Sequence, residues 1–144
     1  MKEDYPRQGL RIRCEQGVYP EVRRACLEFA KWLRIEFEFP IRVVVYLKKD
    51  YQIKSRFDKE LVSGTFFGPF DKSEEPYIRI ATGDYLELLA ENGQDDALAA
   101  ILGTIAHELG HYYQWIDDLE LDEEGAENNS EYMIDLYAET RDHP

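Results

Sequence analysis

The feature that most constrains the fold of this 144-residue chain is a long segment with helical periodicity, residues 96–116. Its large apolar side chains recur three and four residues apart and so form one stripe along a helix. The stripe contains Leu98, Ile101, Leu102, Ile105, Leu109, Tyr112 and Ile116. A second stripe contains the small residues Ala99, Gly103, Ala106 and Gly110. Because each glycine inside a helix is less favourable than alanine by roughly 1 kcal/mol, we expect other backbone to approach closely there.

The same helix carries two of the three histidines of the chain, in the motif His107-Glu108-Leu109-Gly110-His111. Side chains four residues apart project from one face of a helix, so both imidazoles can bind a single metal ion. Glu108 lies next to that face, where its carboxylate can act on a metal-bound water without being a ligand. This arrangement is typical of zinc hydrolases, in which zinc lowers the pKa of bound water and polarises the scissile carbonyl.

The composition narrows the classes of partner. The chain has 30 acidic and 17 basic residues, which give a net charge of -13. Phosphate groups bind clustered Lys and Arg, so we expect no nucleic-acid partner and no anionic membrane partner. The longest apolar run, residues 97–106, is about half of what a membrane span needs. The sequence therefore predicts a soluble, cytoplasmic protein, with Cys14 and Cys26 as two reduced thiols.

The first half of the chain predicts alternating strands and helices. Residues 10–15 alternate as in a half-buried strand, residues 20–37 have the period of an amphipathic helix, and residues 41–47 are rich in β-branched side chains. This order predicts a parallel crossover. Residues 62–70 and 77–82 predict two antiparallel strands.

The remaining segments complete the predicted architecture. Residues 48–60 are polar and predict a loop, a short helix begins at Asp84, and a last helix covers residues 129–141, after a break at Gly125. Together these elements predict a single α+β domain, in which a small mixed sheet with an antiparallel edge strand packs on the central helix.

A catalytic zinc takes three protein ligands and keeps a fourth position for water, so one more ligand is needed. Glu131 follows His111 by twenty residues and is the predicted third ligand, with Glu127 and Glu139 as alternatives. Asp135 lies one turn after Glu131 and is predicted to accept the second N–H of His107, which would fix its tautomer.

Two segments, His107-Glu108-x-x-His111 and residues 131–138, together resemble a minimal gluzincin. The second segment is similar to the Glu-x-x-Ala-Asp/Asn-x-Phe-Ala pattern of ImmA/IrrE-type metallopeptidases and to the Glu-x-x-x-Asp of thermolysin-like enzymes. Ile134 stands where the former pattern has Ala. The resemblance implies a zincin-like fold of a zinc-dependent peptidase, with a central active-site helix and a C-terminal helix that supplies a ligand. In this fold His107, His111 and Glu131 are the ligands and Glu108 is the catalytic base.

In that family an antiparallel strand at the edge of the sheet binds the peptide as an added strand, and the resemblance implies that residues 77–82 have this role. An exposed edge supplies main-chain donors and acceptors to an extended peptide. The predicted substrate-binding residues are Tyr77, Ile78, Arg79, Ile80, Ala81 and Thr82. Large gluzincins also stabilise the oxyanion with a His or Tyr from a lower subdomain. The possible substitutes in this chain are Tyr112, Tyr113 and His143.

Three hypotheses follow for the function. The first is a zinc metallopeptidase that hydrolyses a protein or peptide substrate, with Glu108 moving a proton from water to the leaving amine. The second is a zinc-binding zincin scaffold that binds another protein. The third is an ordinary α+β domain in which the motif has no role. Glu108 favours the enzyme, because a site that only binds does not need it.

Overall fold

A parallel crossover begins the fold in the computed structural model, which describes residues 7–55 and 58–144. Strands β1 (Leu10–Cys14) and β2 (Val43–Lys48) are parallel neighbours, and α1 (Pro20–Glu36) connects them. Pro20 suits the first position of α1 because its fixed φ is already helical and its missing N–H would have no helical partner. The apolar side of α1 is buried, so the predicted strand, helix and strand are confirmed.

The remaining strands form a short hairpin and complete a mixed sheet. The hairpin consists of β3 (Ile53–Lys54) and β4 (Leu61–Val62), in and just after the segment for which the sequence predicted a loop. β5 (Gly64–Phe67) is antiparallel to β6 (Tyr77–Ala81), as predicted, and β6 is parallel to β2. The four-stranded sheet therefore has the order β1-β2-β6-β5.

This strand order corrects one prediction, because β6 is an inner strand and β5 is the edge strand. Ile78 and Ile80 of β6 are fully buried beside Val45 and Leu47 of β2. A strand that is hydrogen-bonded on both sides has no free main-chain groups for an added peptide. The edge on this side of the sheet belongs to β5.

Three helices follow the sheet: α2 (Tyr85–Asn92), α3 (Gln94–Ile116) and α4 (Glu123–Ala138). Gly93, with a φ of 84°, separates α2 from α3. The apolar stripe predicted for α3 is buried from Leu98 to Tyr112 and packs in the main core with α1 and the sheet. The mixed α+β architecture is thus confirmed. Within the described ranges, no helix combines the length and the apolar character needed to cross a bilayer.

Helix α4 begins at Glu123, six residues before the predicted start. Asp122 caps it, since its Oδ2 accepts a hydrogen bond of 3.0 Å from the backbone N–H of Gly125. Gly125, where the sequence predicted a break, lies in the first turn. A Cβ atom at this position would lie 2.7 Å from Nε2 of Gln114, so glycine lets the start of α4 approach the end of α3.

The small stripe of α3 faces α4, as the glycine positions predicted. A Cβ atom at Gly110 would lie only 2.8 Å from Cα of Ala126. Further along, the amide of Asn129 donates a 2.8 Å hydrogen bond to the carbonyl of Ala106, and Ser130 Oγ donates one of 2.8 Å to the carbonyl of Gly103. Later residues of α4 contact earlier residues of α3, so the two helices are antiparallel and have a defined register.

We expect Gly110→Ala to be less stable than the matched variant Gly103→Ala by roughly 1–3 kcal/mol, the usual cost of overpacking a tight contact. Both substitutions gain the same helix propensity, so that contribution cancels. They differ because the nearest atom to a Cβ at Gly103 is Ser130 Oγ at 3.4 Å, a side-chain atom at ordinary contact distance. Urea denaturation of both variants measures the difference. Equal stabilities would contradict the close α3–α4 contact.

Candidate metal centre

The two histidines of the motif direct the same ring nitrogen to one carboxylate. Nε2 of His107 lies 2.8 Å from Oε2 of Glu123, and Nε2 of His111 lies 2.9 Å from Oε1 of the same side chain. The two imidazole rings are 5.2 Å apart between centroids, as the four-residue spacing on α3 requires. Glu123 is the first residue of α4, so the short turn after α3 brings this carboxylate back to the histidines.

The donor set of this group fits a catalytic zinc ion. The ligand atoms of His107, His111 and Glu123 all lie within 4.8 Å of one another. Two imidazole nitrogens and one carboxylate oxygen are the ligands of the His₂Glu class of catalytic zinc sites, which leaves the fourth position for water or substrate. These three residues could therefore hold zinc without a change in the helices that carry them.

The second nitrogen of each histidine has its own acceptor. Nδ1 of His107 lies 2.9 Å from Oε2 of Glu127, and Nδ1 of His111 lies 2.9 Å from Oε1 of Gln114. An ionised carboxylate can only accept hydrogen bonds, so Nδ1 of His107 carries the hydrogen in this pair. In the neutral ring, Nε2 of His107 then keeps the lone pair that a metal requires.

The hydrogen bonds and charges around Glu123 favour the ionised form of its carboxylate. Burial alone would raise the pKa of Glu123, but the hydrogen bonds and charges of His107 and His111 outweigh it and hold the pKa below its ordinary value. Burial likewise opposes protonation of His107, whereas its hydrogen bonds to Glu127 and Glu123 raise its pKa overall. The carboxylates around His107 thus favour a positive charge at this position, whether a proton or a metal ion provides it.

Glu108 occupies a different environment, between α3 and the edge strand. Its side chain is buried, and a Cβ atom at Gly64 of β5 would lie 3.2 Å from its Cγ. Burial raises the pKa of Glu108 to about 6, although the nearby charges of His111 and His107 act in the opposite direction. A carboxyl group with this pKa can both accept and release a proton near neutral pH.

A cleft of about 770 Å³ lies over the group, with α3 as its floor, β5 on one side and α4 on the other. The backbone amide of Ala81 donates a hydrogen bond of 2.8 Å to the carbonyl of Ser63. In an antiparallel pair, hydrogen-bonded and non-bonded positions alternate, so Gly64 and Phe66 direct their N–H and C=O groups away from β6. These main-chain groups lie at the edge of the sheet that lines the cleft.

The structure does not bring Glu131 or Asp135 to the histidines. Both are exposed on α4, and neither lines the cleft. A helix rises about 1.5 Å per residue, so Glu131 lies about 12 Å beyond Glu123, near the level of Gly103. Glu123, rather than Glu131, lies beside both Nε2 atoms. Glu127, an alternative third ligand in the sequence analysis, lies beside Nδ1 of His107, where the sequence predicted Asp135.

The other predicted site residues are also placed elsewhere. The segment from Tyr77 to Thr82 consists of the inner strand β6 and the residue after it. Thr82 is buried, and its hydroxyl donates a hydrogen bond to the carbonyl of Lys48. The hydroxyl of Tyr112 bonds to the backbone of Ile41 in the core. Tyr113 donates to the carbonyl of Glu38, and His143 pairs with Asp95. None of these three residues proposed for the oxyanion lines the cleft.

One sequence signal could have identified Glu123. The first part of the family pattern, Glu-x-x-Ala, fails after Glu131 because of Ile134 but is present as Glu123-Glu124-Gly125-Ala126, although Glu127 stands where the pattern has Asp or Asn. Its alanine has a physical role in this fold, since Ala126 is the residue that packs against Gly110. A small residue three positions after the ligand is what the close approach of the two helices requires.

Comparisons of this chain with protein-family models, with curated proteins and with solved structures gave no match. The interpretation of the site therefore depends on its own geometry and chemistry.

We expect Glu123→Ala to weaken zinc binding by at least about 100-fold, because it removes one of the three candidate ligands. Loss of a residue that only hydrogen-bonds to a ligand already weakens metal binding by up to about 100-fold. Glu131→Ala is the matched control, an exposed glutamate on the same helix, and should bind zinc as the unchanged protein does. Competition with a chromophoric chelator measures both dissociation constants. The reverse result would restore Glu131 as the third ligand.

Proposed function

We propose that this chain is a zinc-dependent peptidase of the minimal gluzincin type. Zinc would be held by Nε2 of His107, Nε2 of His111 and the carboxylate of Glu123. The observation that carries the proposal is the convergence of both Nε2 atoms on one carboxylate, beside a buried glutamate in a cleft of about 770 Å³. The assignment of the sheet and helices to the zincin fold is part of the same proposal.

The reaction requires both a Lewis acid and a proton carrier. Zinc in this site would polarise a peptide carbonyl and acidify a water molecule. The Glu108 carboxylate would accept a proton from the attacking water and would then deliver it to the leaving amine. Its pKa of about 6 suits both steps, because the carboxyl is largely ionised at neutral pH and still basic enough to take a proton. Its burial under β5 also keeps it from bulk water.

The edge strand supports a polypeptide as the substrate class. The outward N–H and C=O groups of Gly64 and Phe66 can pair with the main chain of an extended segment, which would lie in the cleft as a further strand. Such a segment would pass over the motif, because Gly64 packs directly against Glu108 and Thr104 of α3. An unfolded segment or a terminus adopts this extended form most readily, so the proposed substrate is a segment of this kind.

A zinc-bearing scaffold that binds another protein is the second candidate. The observation that favours it is the position of Tyr112, Tyr113 and His143, all of which lie outside the cleft that would need an oxyanion donor. The exposed side chain of Leu121 also lines the cleft and adds an apolar contact for a bound segment. In a scaffold, the proton-transfer function of Glu108 would have no use.

Replacement of Glu108 by Gln separates these candidates. For a peptidase, Glu108→Gln should leave zinc bound and lower kcat/KM by roughly 100-fold or more, since proton transfer in the transition state contributes about 10²–10⁴. Glu91→Gln, an exposed acid on α2, is the matched control and should cleave at the unchanged rate. The measurement combines metal analysis with mass spectrometry of a library of unstructured peptides. A zinc-loaded protein that cleaves none of them, or an equally active Glu108→Gln variant, would contradict the peptidase.

A further inference from the structure

Gln114 connects His111 to the start of α4. It lies three residues after His111 on α3, and its Oε1 is 2.9 Å from Nδ1 of that histidine. The same oxygen accepts a hydrogen bond of 3.0 Å from the backbone N–H of Asp122, and Nε2 donates one of 3.0 Å to the carbonyl of Asp122. One side-chain amide therefore contacts a histidine of the metal group and both main-chain groups of the residue before Glu123.

The two bonds to Asp122 determine how the amide of Gln114 is oriented. A backbone N–H can only donate and a carbonyl can only accept, so Oε1 faces the N–H and Nε2 faces the carbonyl. The opposite orientation would place the NH₂ group of Gln114 against the N–H of Asp122, and the amide oxygen of Gln114 against the carbonyl of Asp122. Because this orientation follows from main-chain chemistry, it does not depend on the protonation of the histidine.

This orientation determines the tautomer of His111. The atom that faces Nδ1 is the oxygen of Gln114, which can accept and cannot donate, so Nδ1 carries the hydrogen. In the neutral ring, Nε2 is then the nitrogen with the free lone pair. This is the nitrogen that lies 2.9 Å from Glu123 and belongs to the candidate zinc site.

Gln114 also supports the element that carries Glu123. Asp122 is the N-cap of α4, and its Oδ2 accepts the backbone hydrogen bond of Gly125. Gly125 in turn packs so closely against Nε2 of Gln114 that a Cβ atom would lie 2.7 Å from it. The first turn of α4 is thus held at the amide of Gln114, and Glu123 lies within that turn.

We propose that Gln114 is a positioning residue of the zinc site. It sets Nε2 as the ligating nitrogen of His111, and through Asp122 it holds the carboxylate of Glu123 opposite that nitrogen. The zinc-binding part of this inference rests on the proposed function, whereas the link between Gln114 and the start of α4 does not. Neither link requires Gln114 to contact substrate or water.

The test compares Gln114→Met, which keeps the length of the side chain without its polar atoms, with Gln114→Glu, which keeps an acceptor for His111 and for the N–H of Asp122. We expect Gln114→Met to weaken zinc binding about 10–100-fold, the usual effect of losing the outer partner of a histidine ligand. Gln114→Glu should recover part of that loss, because it keeps the acceptor for His111 and for the N–H of Asp122, whereas its second oxygen faces the carbonyl of Asp122 as one acceptor against another. Asn128→Ala, at an exposed amide on α4, should bind zinc as the unchanged protein does.

Two spectroscopic readouts accompany the zinc affinities from chelator competition. In the zinc-loaded protein labelled with ¹⁵N, a slowly exchanging Nδ1–H signal of His111 should be present in the unchanged protein and in Gln114→Glu, and lost in Gln114→Met. In the zinc-free protein, hydrogen exchange of the Asp122 and Gly125 amides should accelerate in Gln114→Met. This last readout tests the link to α4 without metal.

The outcomes separate the two proposals. Unchanged zinc affinity and an unchanged Nδ1–H signal in Gln114→Met would overturn the role of Gln114 and leave the zinc site intact. Absence of zinc binding by the unchanged protein would overturn the proposed function and with it the ligand role of Gln114, while amide exchange would still decide the link to α4. If Gln114→Met does not fold, Gln114→Glu decides, because an Nδ1 without its hydrogen in that variant would overturn the inference.

Discussion

The close contact between Gly110 of α3 and Ala126 of α4 fixes the arrangement on which the rest of the site depends. It determines how near the two helices lie and which residues of α4 stand level with the motif. With Ala126 opposite Gly110, the acids that reach the histidines are Glu123 and Glu127, one turn apart on one side of α4. A shift of one turn along this contact would bring a different pair of side chains to the histidines. The packing between these two small residues therefore determines which acids of α4 line the cleft.

Much of the fold could be predicted from the sequence, because strong periodicity dominates where one face of an element is buried. The apolar stripe of α3 and the alternation in β1 and β6 are of this kind. The start of α4 could not be predicted in the same way. Its first turn contains acids and a glycine, which local propensity assigns to a break, and its stability comes from Asp122 and from the contact of Gly125 with Gln114.

The same distinction holds for the site. His107, Glu108 and His111 could be identified because all three lie within five residues of one helix, where spacing alone determines geometry. The positions of the Glu123 carboxylate and of the edge strand β5 depend on contacts between elements far apart in the chain. Glu131 has the expected separation from His111 but the wrong register on α4. β6 has a strand pattern, yet strand order, which no local pattern contains, makes β5 the edge.

Under the proposed function, the exposure of Glu123 has a consequence for how a metal ion would enter the site. His111 is buried and His107 is half-buried, whereas the side chain of Glu123 is 81% exposed at the rim of the cleft. Glu123 therefore stands between solvent and the two Nε2 atoms, and it can turn away without separation of α3 from α4. Side-chain rotation of an exposed residue takes picoseconds to nanoseconds, far faster than local unfolding. If zinc binds as proposed, it could enter and leave the folded protein by exchange at this one carboxylate.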